Sequence, residues 1–424
     1  MTDLVLTTFL KMAFILAVIL GLVPVLIWAE RKGSAFIQDR TGPNRAGIAG
    51  IRLAGLIHPI ADVLKLLFKE DVRPAGVHRV LYALAPFLVF FVSLLTYAVI
   101  PFGDYLEVGG RRIPLVVADL DVGILYVLAI ASLGTYGIVM GGWASNNKYT
   151  FLGAVRSTSQ MISYEISMGL ALMGLLLVSQ SLRLTDVVAG QGVLLWGFLP
   201  RWGVVIQPLG AILFMTAAFA ETNRNPFDLP EGESELVSGY HLEYSSMKFA
   251  LFFMAEYTNL VVASALIATL YFGGWNIPWL PRAVIEARAG VLLPLLLAAH
   301  VAICALAAAL YLRRASRERG RFGDGRDREP GLMAGVCVLL GLAGLAALAL
   351  RPWEIGPAGA SLLATALQVG AFVGKVVFFC WFFIWVRWTL PRFRYDQLMH
   401  LGWKVMLPLA LANLVLTAVV VALV

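Results

Sequence analysis

Ten apolar stretches recur along this 424-residue chain, and no other feature of the sequence limits its fold so strongly. Most run for about 20 residues, the length a helix rising ~1.5 Å per residue needs to cross a ~30 Å hydrocarbon layer. Lipid offers backbone N–H and C=O groups no partners, so a spanning segment must be a helix or part of a closed barrel. The pattern lacks the short alternating segments of a barrel. Composition agrees, with 60% of residues hydrophobic and 14% charged, where a soluble domain carries about 25% charged. The expected fold is all-α: a polytopic integral membrane protein of about ten transmembrane helices. They are placed near 4–29, 80–102, 122–142, 160–179, 204–220, 249–273, 289–312, 331–350, 361–386 and 405–424. The run at 204–220 is the shortest and contains Pro208. The first run, interrupted by Lys11, has no small-residue cleavage site before Glu30 and reads as a retained helix.

Positive charge is retained on the cytoplasmic side of membrane helices. Loops 30–79, 142–160, 221–248, 313–330 and 387–404 together hold 24 of the 33 Lys and Arg, which assigns them to the inside and both termini to the outside. An even number of helices is needed for that. Residues 313–330 carry seven arginines, four acids and three glycines, the composition of a solvated connector.

Three inside segments carry more than topology requires. The first, Glu30 to Gly47, mixes Arg31, Lys32, Gln38, Asp39, Arg40, Asn44 and Arg45 with glycine and proline, so it reads as a folded, turn-rich loop. In the next, His58, Asp62, Lys65 and Lys69 recur at spacings of four, three and four, which puts them on one side of a helix with the apolar residues largely elsewhere. That helix is too short to span and is expected to lie in the membrane interface. The third, Glu221 to Glu256, contains seven acids (Glu221, Asp228, Glu231, Glu233, Glu235, Glu243 and Glu256), opposed only by Arg224 and Lys248. Acids contribute little to topology, so another reason is needed.

Glu256 and Glu165 sit about two turns into apolar runs. An ionisable group at that depth is costly and normally faces a bundle interior or water, where it marks an ion path. A structural carboxyl bonded to a neighbouring hydroxyl or Arg is the competing explanation for either one alone. Crowding among the loop carboxyls is expected to raise some of their pKa values toward neutrality and to make them titrate as a group. Lys375 lies within the ninth run and either pairs with one of these acids or reaches for an interface.

Redox centres are not visible in the chain itself. Cys304, Cys337 and Cys380 are far apart with no CxxC pair, and there is no GxGxxG turn or GxxxxGK[ST] loop. No cofactor is expected to be bound by this chain alone.

The segments ERKGSAFIQDRTGPNRAG (30–47), ADVLKLLFKE (61–70), SQMISYE (159–165), AETNRNPFDLPEGESELVSGYHLEYSSMKFALFFMAEY (220–257) and RWTLPRFRYDQLMHLGWKVMLPLAL (387–411) resemble the quinone-site, H-type membrane subunit family of respiratory complex I, the NADH:quinone oxidoreductase. The resemblance implies a membrane component of an enzyme that reduces ubiquinone or menaquinone and translocates protons. It implies partner subunits bearing FMN and iron–sulfur clusters, along with small and antiporter-like membrane subunits, in a bacterial cytoplasmic membrane. Carried over, Arg31, Gln38, Arg40, Asn44, Asp62, Lys65, Arg224 and Phe227 line or shape a quinone chamber. Glu165, Glu221, Glu231, Glu233, Glu235, Glu243 and Glu256, with Lys375, start a polar path toward the pumping subunits. Two departures stand out: His58, where family members often carry Gln, and an apparent insertion at about 276–355. The insertion divides a 1–275 core from a 356–424 core segment. The membrane component of energy-converting hydrogenases and an ion-coupled secondary transporter are the alternatives.

Overall fold

A computed structural model describes residues 2–228, 239–320, 323, 325–350 and 355–423. Fifteen helices follow in chain order: α1 (Thr2–Ile37), α2 (His58–Phe68), α3 (Arg79–Leu95), α4 (Gly123–Ala144), α5 (Lys148–Ser179), α6 (Leu184–Gly190), α7 (Gly203–Ile206), α8 (Pro208–Glu221), α9 (Ser246–Tyr271), α10 (Arg282–Ala287), α11 (Ala289–Glu318), α12 (Glu329–Ala349), α13 (Pro357–Thr389), α14 (Tyr395–His400) and α15 (Leu407–Leu423). Two short antiparallel ribbons, β1 (Tyr105–Val108) with β2 (Arg111–Pro114) and β3 (Leu194–Leu195) with β4 (Leu199–Pro200), lie in connecting loops.

Among the described residues, nine helical spans are long and apolar enough to cross a membrane, the last running from Tyr395 through a π turn to Leu423. The fifth expected helix, at 204–220, is broken. Gln207 leaves the helical region between α7 and α8, so the unbroken apolar piece is the 14 residues of Pro208–Glu221. Its side chain is spent sideways, donating to Thr417 Oγ1 and accepting from Asn413 Nδ2 of α15. The fourth helix begins at Lys148, 12 residues before its expected start at 160, and this extension carries the polar face that later holds the 222–228 loop.

Burial separates a mast from a rim. In α9, 67% of the spanning stretch is buried, against 11% in α11. The main core joins α1, α5, α8, α9 and α13 through Phe214, Tyr257, Leu260, Ile267, Phe379 and Phe383. Helices α3 and α4 approach closely at Gly137, where a Cβ would stand 2.4 Å from Val89; only a residue without that atom permits the contact. The antiparallel pair α11–α12 packs mainly on itself, with Gly341 facing Cys304 and Gly344 facing His300 and Val301. Small residues at such crossings let helices meet in lipid, where no hydrophobic drive is available.

The short helix expected at the interface is α2. Its Asp62 faces α1, while Ile60, Leu64, Leu67 and Phe68 are exposed.

Candidate functional site: a buried charge cluster and its acids

Four helical segments meet around Arg224. Glu30, two turns before the end of α1, accepts from Arg224 Nη1 and from Tyr257 Oη of α9, each at 2.8 Å. Arg387, near the end of α13, donates to the other oxygen of Glu30. Arg224 Nε lies 2.7 Å from Glu256 Oε1 as an ion pair, and its guanidinium sits 4.3 Å from the Tyr257 ring centroid. Arg224 is 2% exposed. Burial works against its charge, but Glu256 and Glu30 more than reverse that and hold its pKa above the ordinary arginine value. Two carboxylates and two guanidiniums balance, which makes four charged groups tolerable away from water.

The loop that delivers Arg224 is itself fastened. Gln160 Nε2 on α5 reaches the carbonyls of Ala220 and Phe227 at 2.8 Å and Asn223 Oδ1 at 3.1 Å. Asn225 Nδ2 donates to the carbonyls of Arg387 and Leu390, and Arg392 pairs with Asp228 at 3.1 Å. The loop thus binds α5 on one side and the end of α13 on the other.

Beside the cluster the acids continue inward. Glu256 and Glu221 line a common cavity of about 20 Å³ with Thr222, Asn223, Tyr240 and Asn259, room for one water by volume. Glu221, Thr222 and Asn259 also border a larger interior cavity of about 60 Å³, shared with Ser93 and Thr96. Glu165 accepts from Ser132 Oγ of α4, next to Ala131 in that second cavity wall, and lies within electrostatic range of Glu221. Glu243 accepts from Asn147 Nδ2 at 2.6 Å, and its backbone carbonyl from Tyr82 Oη. Glu231, Glu233 and Glu235 lie outside the described residues. Lys375 is not brought to these acids. Its Nζ donates to the carbonyls of Gly274 and Asn276 at 2.8 and 2.7 Å, past the far end of α9, and faces the Trp202 ring.

The residues assigned to a quinone chamber divide in two. Arg31 Nη1 meets Asp62 Oδ2 at 2.5 Å, both about half exposed, and this pair ties the end of α1 to α2. Arg40 Nε donates to Gln38 Oε1 at 2.7 Å; Asn44 is half-buried in the same loop, and Lys65 is exposed on α2. Arg224 and Phe227, by contrast, face inward. Phe227 is 3% exposed and packs between Tyr164 and Phe393. Among the described residues no three His, Cys, Asp or Glu side chains gather as a metal site.

The family model described as NADH dehydrogenase matches residues 10–418 of the chain. An H-type subunit of NADH-quinone oxidoreductase from Solibacter usitatus is 43% identical over 97% of this chain and 96% of its own length. The H-type subunit of Cytophaga hutchinsonii is 40% identical over 92% and 89%, and a NADH-quinone oxidoreductase subunit 8 of Rhodothermus marinus 43% over 94% and 92%. The chain belongs to the H-type membrane subunit family of complex I. It is a membrane component of an oxidoreductase complex.

Several residues of this complex I subunit that build the cluster escaped the sequence reading. Glu30 stood out only as one charge in the ERK run, and Arg387 only as part of RWTLPRFR. Tyr257 figured only as the last residue of the 220–257 segment. Asp71 was also missed: Lys248 Nζ lies 2.6 Å away, and its hydrogen bond holds the Asp71 carboxyl below the usual aspartate range. The departure at His58 has a local role, since its Nε2 accepts from the Ala46 backbone N–H at 3.3 Å.

Proposed function

We propose that this subunit forms one wall of the quinone chamber of a proton-translocating NADH:quinone oxidoreductase and passes the charge change of quinone reduction into the membrane through its carboxylates. The first loop and α2, with Arg31, Gln38, Arg40, Asn44, Asp62 and Lys65, supply the wall. Ubiquinone or menaquinone is the substrate, and FMN and iron–sulfur clusters belong to partner subunits. The relatives' names favour this reading over the hydrogenase and transporter alternatives. With α7–α8 counted as a tenth crossing, charge bias supports a loop-rich end on the inside of a bacterial cytoplasmic membrane and both termini outside. Residues 1–275 and 356–424 act as the core, and 276–355 as an added two-helix segment.

The observation that carries the coupling is the succession Arg224, Glu256 and Glu221, linked by an ion pair and a small shared cavity, with Glu221 also on a larger, mainly apolar cavity beside which Ser132 holds Glu165. A charge change near the first loop perturbs Glu30 and Arg224 directly, because both are buried and only weakly screened. Each pKa unit transmitted to the next carboxyl is worth ~1.4 kcal/mol. Glu243 extends the acids toward the loop side, and Glu231, Glu233 and Glu235 keep the proton-path role that the family resemblance implies. Arg224 and Phe227 act from behind the chamber, holding the loop and its charge balance, and Lys375 closes the far end of α9.

Steady-state kinetics on the assembled complex tests the chamber. Asp62→Asn is expected to raise the KM for a short-chain quinone by about tenfold, while NADH oxidation by a water-soluble acceptor keeps its rate. An unaltered quinone KM in both Asp62→Asn and Arg31→Gln contradicts the assignment.

A further inference from the structure

A second buried ion pair lies away from the cluster. Glu329 is the first residue of α12, and its carboxylate accepts from the Arg52 backbone N–H at 3.0 Å and from Arg52 Nε at 2.8 Å. Arg52 is 2% exposed and Glu329 7%. Both contacts fall on one residue, so they fix its backbone and its side chain together. The carboxylate also sits at the N-terminus of a 21-residue helix, where the macrodipole favours it independently of Arg52.

The segment that Arg52 belongs to is poorly able to hold itself. Ala49, Leu53 and Ala54 have φ of 52°, 47° and 53°, a left-handed conformation costing such residues roughly 1–2 kcal/mol each and kept only when surroundings impose it. Gly55, at φ 94°, passes so near Pro43 that a Cβ would stand 2.0 Å from its carbonyl oxygen. Regular structure here is limited to the Ile48–Ile51 bridge and one 3-10 turn. From outside, the segment is held by Trp28 Nε1 on the Ala54 carbonyl and by Glu329. It leads directly into α2, where His58 receives Ala46 and Asp62 receives Arg31.

We infer that Glu329 is a positioning residue for quinone reduction, pinning residues 47–55 and the start of α2 from the α11–α12 pair. The added helices thereby act on the chamber without touching the quinone. This rests on the chamber reading above, and two separate readouts keep the two apart.

The test is Glu329→Gln in the purified complex, read by hydrogen exchange over residues 47–57 and by quinone kinetics. Exchange in that segment is expected to quicken by about tenfold, and the KM for a short-chain quinone to rise several-fold with kcat within about twofold. NADH oxidation by a water-soluble acceptor keeps its rate. Glu329→Asp restores part of both effects, and Arg52→Lys, which retains the backbone donor, shows both in weaker form. Unchanged exchange over 47–57 overturns the inference. Faster exchange with an unchanged quinone KM leaves the pin standing and contradicts the chamber reading. Loss of soluble-acceptor activity in all three variants places the effect in assembly and also overturns the positioning role.

Discussion

Each end of the helix bundle holds a largely enclosed arginine, and the two differ in what surrounds them. At the loop-rich end, Arg224 meets Glu30 and Glu256, charges brought from residues far apart in the chain, with Arg387 completing a balanced set of four. At the other end, Arg282 bonds one acid of its own helix, Glu286 at 2.8 Å, and lies 4.0 Å from Asp104. Otherwise it is held by neutral groups: the Tyr105 carbonyl, Ser361 Oγ, Thr365 Oγ1 and the Tyr105 ring face at 3.6 Å. On the function proposed above, the difference matters. A set of buried opposed charges beside cavities lined by further carboxyls responds when one charge changes. Arg282, held by carbonyls and hydroxyls as well as by Glu286 and Asp104, is a fastening of β1 and α10 to α13.

Breaking the loop-rich end has the largest expected effect. Arg224→Ala leaves Glu30 and Glu256 buried with half their compensation gone, a loss of about 3–5 kcal/mol for an opened buried pair. The complex is expected to assemble poorly, with quinone reductase activity below a tenth of normal, as read by native gel and activity stain; Arg224→Lys recovers part of the assembly. Normal assembly and activity in Arg224→Ala would remove the distinction between the two ends. Next in size is Arg282→Ala, which strands hydroxyls and carbonyls at a cost of about 1–3 kcal/mol. Thermal unfolding of the complex should move down while activity per assembled complex stays within about twofold. An activity loss matching that of Arg224→Ala would make the far end equally part of the chemistry.

The smallest effect is at the exposed pair Asp71–Lys248. Asp71 titrates below its ordinary value, so its contribution is present above about pH 4 and is lost as acid protonates the native carboxylate. With Asp71 more than a third exposed, the pair is screened by solvent and is worth under about 1 kcal/mol. Asp71→Asn should barely move the unfolding midpoint at pH 7 and should lose even that difference below about pH 4. A large shift at pH 7 would mean that the pair is a structural hinge of the first importance.

Much of this was readable in the sequence, for physical reasons that also set the limits. Length and apolarity locate a span wherever lipid is the only neighbour, which is why α11 and α12 were found close to their ends. They misplace α5, whose first turns carry Arg156, Ser157, Thr158 and Gln160 and look like a loop. Ser157 and Gln160 are buried there because the 222–228 loop needs partners, a requirement imposed by residues more than 60 positions away. The break at Gln207 is hidden for a similar reason, since Thr417 and Asn413 supply the compensation. Glu165 and Glu256 announced themselves by depth alone. A hydroxyl or an Arg was weighed as the partner of each, and Glu256 is met by Arg224 and Glu165 by Ser132; which residues these are was not legible, because no periodicity connects residue 256 to 224 or residue 30 to 387. The motif around RWTLPRFR marked the right stretch without revealing that Arg387 reaches Glu30.

The central claim is that the carboxylates beyond Arg224 carry the charge response. Its most direct measurement is proton translocation per electron by the complex in sealed liposomes, with Glu165 and Glu221 both replaced by Gln. The substitution keeps the shape and hydrogen bonding of each site while removing its charge and its proton. The account predicts that proton translocation falls severalfold or more and that quinone reduction slows with it, while NADH oxidation by a water-soluble acceptor continues at its usual rate. Full proton translocation at the normal quinone reductase rate in the doubly substituted complex would contradict it.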